Sequence, residues 1–315
     1  MFGKKLVADM ISRSAENEQD RRSFLRAAGV AGLGTVGAVA LSGANVQSAS
    51  AAPGDPTDEQ ISDAAVLNFA LNLEYLEAQF YSYAYYGKGL DNSLLDGTTP
   101  QGKVTGGKKV KFKTDAIKDY AEEIANDEIA HVTFLRSALG GAKVSMPDID
   151  LKTSFTNAAR AADLISSKQT FDPFANENNF LLAAFIFEDV GVTAYKGAAP
   201  LINNKTYLGA AAGILAVEAY HAGIVRSALY RKELWTETRK ISNLRDAVDG
   251  SSDDDQKVRV DKTANIVPTD ENGLVYGRTT GDVLNIVYLT PEKVSKGGFY
   301  PSGLNGTFVE SNDNT

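Results

Sequence analysis

The 315-residue chain contains no cysteine. That absence excludes disulfides, thiolate-bound zinc, iron–sulfur clusters and cysteine nucleophiles together. Histidine is almost as scarce, so any imidazole chemistry depends on His131 and His221. Basic residues number 32 against 40 acidic ones, and this net charge of -8 argues against nucleic acid or an anionic membrane as a partner. A mean hydropathy of -0.20 excludes a polytopic membrane protein, whereas 43% hydrophobic residues allow a sizeable core.

The first 51 residues have the pattern of an export signal. Arg21 and Arg22 precede Phe24, a weakly apolar stretch of alanine, glycine and valine follows, and Ala49-Ser50-Ala51 is a small-residue cleavage site. The pattern resembles a twin-arginine signal. A membrane anchor is the alternative, but it would be more apolar than this stretch. The resemblance implies that the twin-arginine export machinery delivers the mature chain to the periplasm or the cell exterior, with no membrane as a partner of that chain.

The mature sequence predicts an all-α bundle over residues 52–235 and an irregular C-terminal extension over residues 236–315, packed on the bundle. After a linker at 52–56, Thr57 and Gln60 predict a capping box that opens the first helix. Helical spacing of apolar residues predicts four long helices. The first ends at about Tyr86, and the other three span residues 114–140, 178–199 and 206–232. Residues 87–113 are rich in glycine and lysine and are expected to be a long excursion.

Helical periodicity is lost after Trp235. Within the extension, the acidic run at 253–255 is expected to be a solvated loop, and the apolar segment Val283–Tyr288 has the pattern of a strand.

Both histidines follow a glutamate by three residues, in Glu128-Ile129-Ala130-His131 and Glu218-Ala219-Tyr220-His221. Glutamate fills 16 of 315 positions, so the coincidence has a probability of about 1 in 400 on composition alone. Three residues of helix place each glutamate and its histidine on one face, where both can bind the same ion or neighbouring ions. That face is otherwise apolar, and a carboxylate buried there needs a partner, a proton or a metal ion.

The other two helices each carry a glutamate in an apolar context, with a tyrosine seven residues later. These pairs are Glu74 with Tyr81 and Glu188 with Tyr195. For each tyrosine, two roles are equally compatible with the sequence: a core aromatic residue, or a hydrogen-bond donor to a metal-binding carboxylate. Glu77 is the competing acid on the first helix; Glu74 is preferred for its tyrosine, and Glu77 is expected on the surface or beside the ligands.

The half-chain pattern therefore occurs twice, as Glu with Tyr followed by Glu-x-x-His. Glu74 and Glu128 are 54 residues apart, whereas Glu188 and Glu218 are 30 apart, and the surplus matches the excursion at 87–113. Two such helical hairpins, packed about a pseudo-twofold axis, bring four carboxylates and two imidazoles to the bundle centre.

Several sequence segments resemble segments of known protein families. Asn72-Leu73-Glu74 with Tyr81 resembles the first ligand helix of ferritins. The segments Phe185–Gly191, Glu218–Ala222 and Gly297–Pro301 resemble the ferritin-like, desiccation-related proteins of bacteria. The resemblance implies a ferritin-like four-helix bundle holding two iron or manganese ions, with six ligands: Glu74, Glu128, His131, Glu188, Glu218 and His221. The long insertion and tail depart from storage ferritins, and the lack of cysteine departs from rubrerythrins.

Two functions follow as expectations. The first is a di-metal oxidoreductase, a ferroxidase or a manganese-catalase-like enzyme, with dioxygen or hydrogen peroxide as reactant. The second is a non-catalytic protein of stress or desiccation protection, in which the metal ions only stabilise the fold. Under either, the extension is available to cover the site or to make a contact between copies of the chain.

Overall fold

The computed structural model describes residues 61–252 and 254–315. The export signal, the linker and the capping box of Thr57 and Gln60 lie outside the described residues. Among the described residues, the first helix begins at Asp63, where the Ser62 side chain accepts a hydrogen bond from the backbone N–H of Ala65 and so caps it.

Four long helices form the bundle, which confirms the predicted all-α fold. They are α1 (Asp63–Tyr86), α2 (Asp115–Leu139), α4 (Glu177–Ala198) and α5 (Lys205–Arg231). Asn176 and Asn204 cap α4 and α5 through their side-chain oxygens. Helix α1 packs on α2 and α4 packs on α5, and the two hairpins meet through contacts of α1 with α4 and of α2 with α5.

The segment between α1 and α2 is a long excursion with little regular structure. It contains a 3₁₀ turn at Asn92–Leu94 and strand β1 (Val104–Thr105), which pairs in parallel with β2 (Ile149–Asp150). A further 3₁₀ turn, Gly140–Ala142, and the short helix α3 (Thr153–Ala161) lie between α2 and α4. The excursion contacts α1: the Tyr75 hydroxyl donates to the carbonyl of Leu94.

The C-terminal extension is more regular than expected. It holds α6 (Trp235–Val248), the antiparallel pair β3 (Arg259–Val260) and β4 (Thr263–Ala264), and α7 (Thr280–Tyr288). The strand expected at Val283–Tyr288 is wrong, because this segment belongs to α7. A short helix buried on all sides has the same continuous apolar run as a buried strand, and the Thr279 side chain caps it.

A buried network of ion pairs joins the extension to the bundle. It comprises three arginines and three aspartates: Arg226, Arg245, Arg278, Asp189, Asp249 and Asp255. Asp189 on α4 accepts from Arg226 at 2.7 Å and from Arg245 at 2.9 Å. The solvated loop expected at 253–255 is therefore wrong for Asp255, which is buried against Arg245 and Arg278. Asp253 lies outside the described residues.

Of the helices in the described part of the chain, α5 alone is long and apolar enough by composition to cross a membrane. It pairs with α4 and carries Glu218, His221 and Arg226 with their side chains buried. Only 33% of its most apolar 18-residue segment is buried inside the described structure.

Candidate metal centre

The structure brings all six predicted residues together at the centre of the bundle. Helices α1 and α4 each present one glutamate, and helices α2 and α5 each present the Glu-x-x-His pair. None of the six is more than 8% exposed. They form two overlapping groups whose donor atoms lie within 4.8 Å of one another: Glu74, Glu128, His131 and Glu218, and Glu128, Glu188 and His221.

Glu128 is common to both groups because each of its oxygens faces a different imidazole. Its Oε2 lies 3.5 Å from Nδ1 of His131, and its Oε1 lies 3.1 Å from Nδ1 of His221. The imidazole centroids are 6.3 Å apart, so one carboxylate spans the space between them. Glu74 and Glu218 approach Nδ1 of His131 at 3.2 and 3.5 Å.

The two tyrosines cross between the hairpins. The Tyr81 hydroxyl of α1 donates to Oε1 of Glu188 on α4, and the Tyr195 hydroxyl of α4 donates to Oε1 of Glu74 on α1. Burial raises the pKa of both tyrosines well above 10, so both keep the proton they donate. Each hydroxyl holds one oxygen of its glutamate and leaves the other oxygen facing an imidazole.

Glu77 belongs to the cluster and not to the surface, so the surface alternative is wrong. Its side chain is buried, and it forms a third group with Glu188 and Glu218 within the same 4.8 Å. The cluster therefore holds five carboxylates. The residues around Glu77 in the chain do not indicate that its side chain is buried, because the segments that pack on α1 are distant in the sequence. The Tyr300 hydroxyl, for instance, donates to the carbonyl of Asn72.

Asp127 is a further residue of the site that sequence reasoning missed. Its Oδ2 lies 3.1 Å from Nε2 of His221, the ring nitrogen that points away from the carboxylates. A carboxylate on the outer nitrogen fixes the orientation of an imidazole and makes it a better ligand. The position that precedes Glu218 in the second half is Val217, which cannot do this for His131. The two halves of the site are therefore not equivalent.

Burial controls the protonation of most of the carboxylates. It raises the pKa of Glu74 to about 8 in spite of the opposing charge of His131. Burial, with repulsion between neighbouring carboxylates, raises the pKa of Glu77 and of Glu188 well above 4.5. Glu128 is the exception: burial opposes its ionisation, but the close approach of the two imidazoles lowers its pKa to about 2.

The same carboxylates raise the pKa values of both imidazoles. Burial disfavours the imidazolium, but attraction by Glu188 and Glu128 raises the pKa of His221 to about 10. Glu74 and its neighbours raise the pKa of His131 further above its ordinary value. Without metal, protons hold this cluster together, and a cation that binds there must displace them.

Unsatisfied atoms test whether a metal ion fits the cluster. Seven buried atoms that could ligate a metal ion have no hydrogen-bond partner among the described residues. They are both oxygens of Glu128 and of Glu218, Oε2 of Glu77 and of Glu188, and Nδ1 of His221. Nδ1 of His221 and Oε1 of Glu128 approach at 3.1 Å without hydrogen-bond geometry. Buried polar atoms are rarely left unpaired, and carboxylate oxygen with imidazole nitrogen suits iron and manganese. The residues present therefore fit a metal centre.

The chain is similar to known proteins. The family described as "ferritin-like domain" matches residues 62–231, which span all four long helices. The desiccation-related protein PCC13-62 of Craterostigma plantagineum is 30% identical over 263 residues, covering 78% of this chain and 83% of that protein. The ferritin-like catalase Nec2 of Nesocodon mauritianus is 28% identical over 284 residues, covering 82% of this chain and 89% of that protein. No solved structure matches the chain significantly.

Proposed function

The chain belongs to the ferritin-like domain family, and from this premise we propose that it is a di-metal oxidoreductase that disproportionates hydrogen peroxide. The observation that carries the proposal is the pair of overlapping donor groups about the two imidazoles, which share Glu128. One iron or manganese ion would bind to His131, Glu74 and Glu218. The other would bind to His221 and Glu188, and Glu128, whose two oxygens face different imidazoles, would belong to both groups.

Charge supports two ions. With neutral imidazoles, the four carboxylates of the predicted ligand set carry the charge that two divalent ions neutralise. When bound, such a pair supplies a one-electron change at each ion, which suits the two-electron chemistry of peroxide. The chain's own part is to position the ligands. Tyr81 and Tyr195 fix Glu188 and Glu74, and Asp127 fixes the His221 ring.

Buried aliphatic residues keep bulk water away from these ligands. Ile124 and Ile214 lie one turn before the glutamate of each Glu-x-x-His pair, and Leu135 and Val225 lie one turn after the histidine; all four are buried. In such surroundings, charged donors act more strongly than they would in water.

Disproportionation fits this chain better than chemistry that needs an electron donor. Two molecules of hydrogen peroxide give one dioxygen and two waters, so one peroxide reduces the other and no external reductant is consumed. A chain without cysteine has no thiolate iron site to deliver electrons. The similarity to a protein named ferritin-like catalase supports the same choice.

Oxygen release tests the proposal. The purified chain, loaded with two manganese or two iron ions, should evolve one dioxygen for every two molecules of peroxide consumed. Glu128→Gln should abolish the activity because it removes the charge of the shared carboxylate, whereas Glu123→Gln, an exposed position on the same helix, should leave it unchanged. Oxidation of added Fe(II) is assayed in parallel. Inactivity in both assays with both metals, at full occupancy, would exclude both the catalase and the ferroxidase activity.

Export belongs to the proposal as well. The twin-arginine pattern at residues 1–51 supports delivery of a folded, metal-loaded protein to the periplasm or the cell exterior. The mature protein recovered from its host should begin at Ala52 by N-terminal sequencing. Replacement of Arg21 and Arg22 by lysine should retain it in the cytoplasm, and unchanged export would contradict this part of the proposal.

A non-catalytic protective role is the second candidate, favoured by the similarity to a desiccation-related protein. Under this role the metal ions stabilise the fold and do no chemistry. His131→Ala should then lower the thermal stability, while the metal-free wild type should still protect a test enzyme during drying. Loss of that protection on metal removal would exclude this role.

A further inference from the structure

Glu77 lies one turn after Glu74 on α1, and a glycine occupies the corresponding position on α4. Both helices have the same spacing from glutamate to tyrosine, so position 77 corresponds to position 191, three residues after Glu188. A strictly repeated sequence would place a glutamate at both positions. The chain has Glu77 on one helix and Gly191 on the other.

The glycine leaves the space that two carboxylates of the cluster use, those of Glu218 and Glu77. A Cβ atom at Gly191 would lie 2.5 Å from Oε2 of Glu218 and 3.3 Å from Oε1 of Glu77. The first separation is shorter than Cβ atoms show in real structures, so even alanine at this position would displace the Glu218 carboxylate, and the second is tight enough to shift that of Glu77 as well. Gly191 has no positive φ that would require glycine for its own backbone.

The Glu77 carboxylate lies beside both donor groups. Its neighbours within 4.8 Å are Glu188, which belongs to the His221 group, and Glu218, which belongs to the His131 group. Glu77 is 6% exposed, and its Oε2 has no hydrogen-bond partner within the described part of the chain. An unpaired oxygen at this depth would be costly unless a cation or a proton accompanies it.

We propose that Glu77 is a fifth carboxylate ligand of the metal centre, admitted by the missing side chain at Gly191. The proposal rests on the proposed function, since it requires the two ions. It makes the centre asymmetric, with a donor set of five carboxylates and two imidazoles. Five carboxylates exceed the charge of two divalent ions by one, so Glu77 also stabilises a pair in which one ion is trivalent.

Manganese titrations of matched variants test the ligand role in solution. Glu77→Gln keeps the shape and removes the charge, and Gly191→Ala fills the space; each should weaken Mn(II) binding at one of the two sites at least tenfold. Two controls should stay within twofold of the wild type. Glu123→Gln removes an exposed charge, and Gly213→Ala adds a Cβ that meets no atom within 4 Å among the described residues.

Anomalous diffraction from crystals of the Mn(II)-loaded wild type needs no variant to fold. An oxygen of Glu77 should lie within about 2.0–2.6 Å of one ion, the range for oxygen ligands of divalent cations. Two ions with Glu77 more than 3.5 Å from both, or unchanged affinity in Glu77→Gln, would overturn the inference and leave the di-metal proposal intact. The absence of two ions from the cluster would overturn both.

Discussion

Removal of the metal ions should leave a protein whose thermal stability falls as the pH rises from 5 to 8. Burial raises the pKa of Glu74 from 4.5 to about 8 in the folded, metal-free chain. A group with a raised folded-state pKa contributes stability that is fully present below its unfolded pKa and is lost as the pH rises through the folded value. Glu77, Glu188 and Glu218 shift in the same direction, chiefly through burial, so they act with Glu74.

The size of the effect follows from the shift of Glu74. Over the interval from pH 5 to 8, this group alone removes about 3 to 4 kcal/mol from the free energy of unfolding. For a chain of this length, that corresponds to a decrease in Tm of roughly 5–7 °C. His221, whose pKa is raised to about 10, adds a loss that begins near pH 6.5. Glu128, with a pKa lowered to about 2, loses its contribution only below about pH 4.5, outside this interval.

Thermal unfolding followed by circular dichroism measures this dependence. The metal-free wild type is scanned at pH 5, 6, 7 and 8, with Glu74→Gln as the variant that removes the titrating group. The Tm of the wild type should fall across the series, and that of the variant should fall less. With excess Mn(II) the trend should reverse, because the ligands must lose their protons to bind metal. A metal-free Tm that is constant or rises from pH 5 to 8, or equal slopes in the two proteins, would refute the reasoning.

Three more substitutions have defined outcomes. Asp127→Asn should weaken binding of one metal ion 10- to 100-fold by isothermal titration, since it removes the carboxylate behind one imidazole; equal weakening of both ions would contradict the assigned asymmetry. Tyr195→Phe should lower the free energy of unfolding of the metal-loaded protein by about 1–3 kcal/mol in urea, because a buried carboxylate oxygen loses its donor, and an unchanged value would argue against that bond. Arg226→Met should cost about 3–5 kcal/mol in the same assay by leaving a buried aspartate without one of its arginines, whereas Lys293→Met, in an exposed ion pair, should cost less than about 1 kcal/mol; similar costs for the two would contradict the buried network.

The bundle and the meeting of its six central residues could be predicted because both depend on local periodicity. Three-residue spacing places Glu128 beside His131 on any helix, and apolar neighbours on the same face predict that the pair is buried. The repeat in the second half of the chain then supplies the partners. These relations hold without knowledge of how distant segments pack.

The features that could not be predicted depend on distant segments. Glu77 is buried because α4 and α5 pack over it, with Glu188 and Glu218 beside it, and Asp255 is buried because Arg245 and Arg278 reach it. Neither partner is indicated by the sequence around the acid. The helix at Val283–Tyr288 was missed for a different reason: a short run that is buried on all sides has no periodicity to separate helix from strand.

Metal content measured by plasma mass spectrometry tests the central claim most directly. Wild-type protein, loaded with Mn(II) and passed over a desalting column, should retain two ions per chain. His131→Ala and His221→Ala should each retain fewer than two, while Glu123→Gln should retain both. Retention of less than one ion by the wild type, or of two by either histidine variant, would contradict a di-metal centre built on these residues.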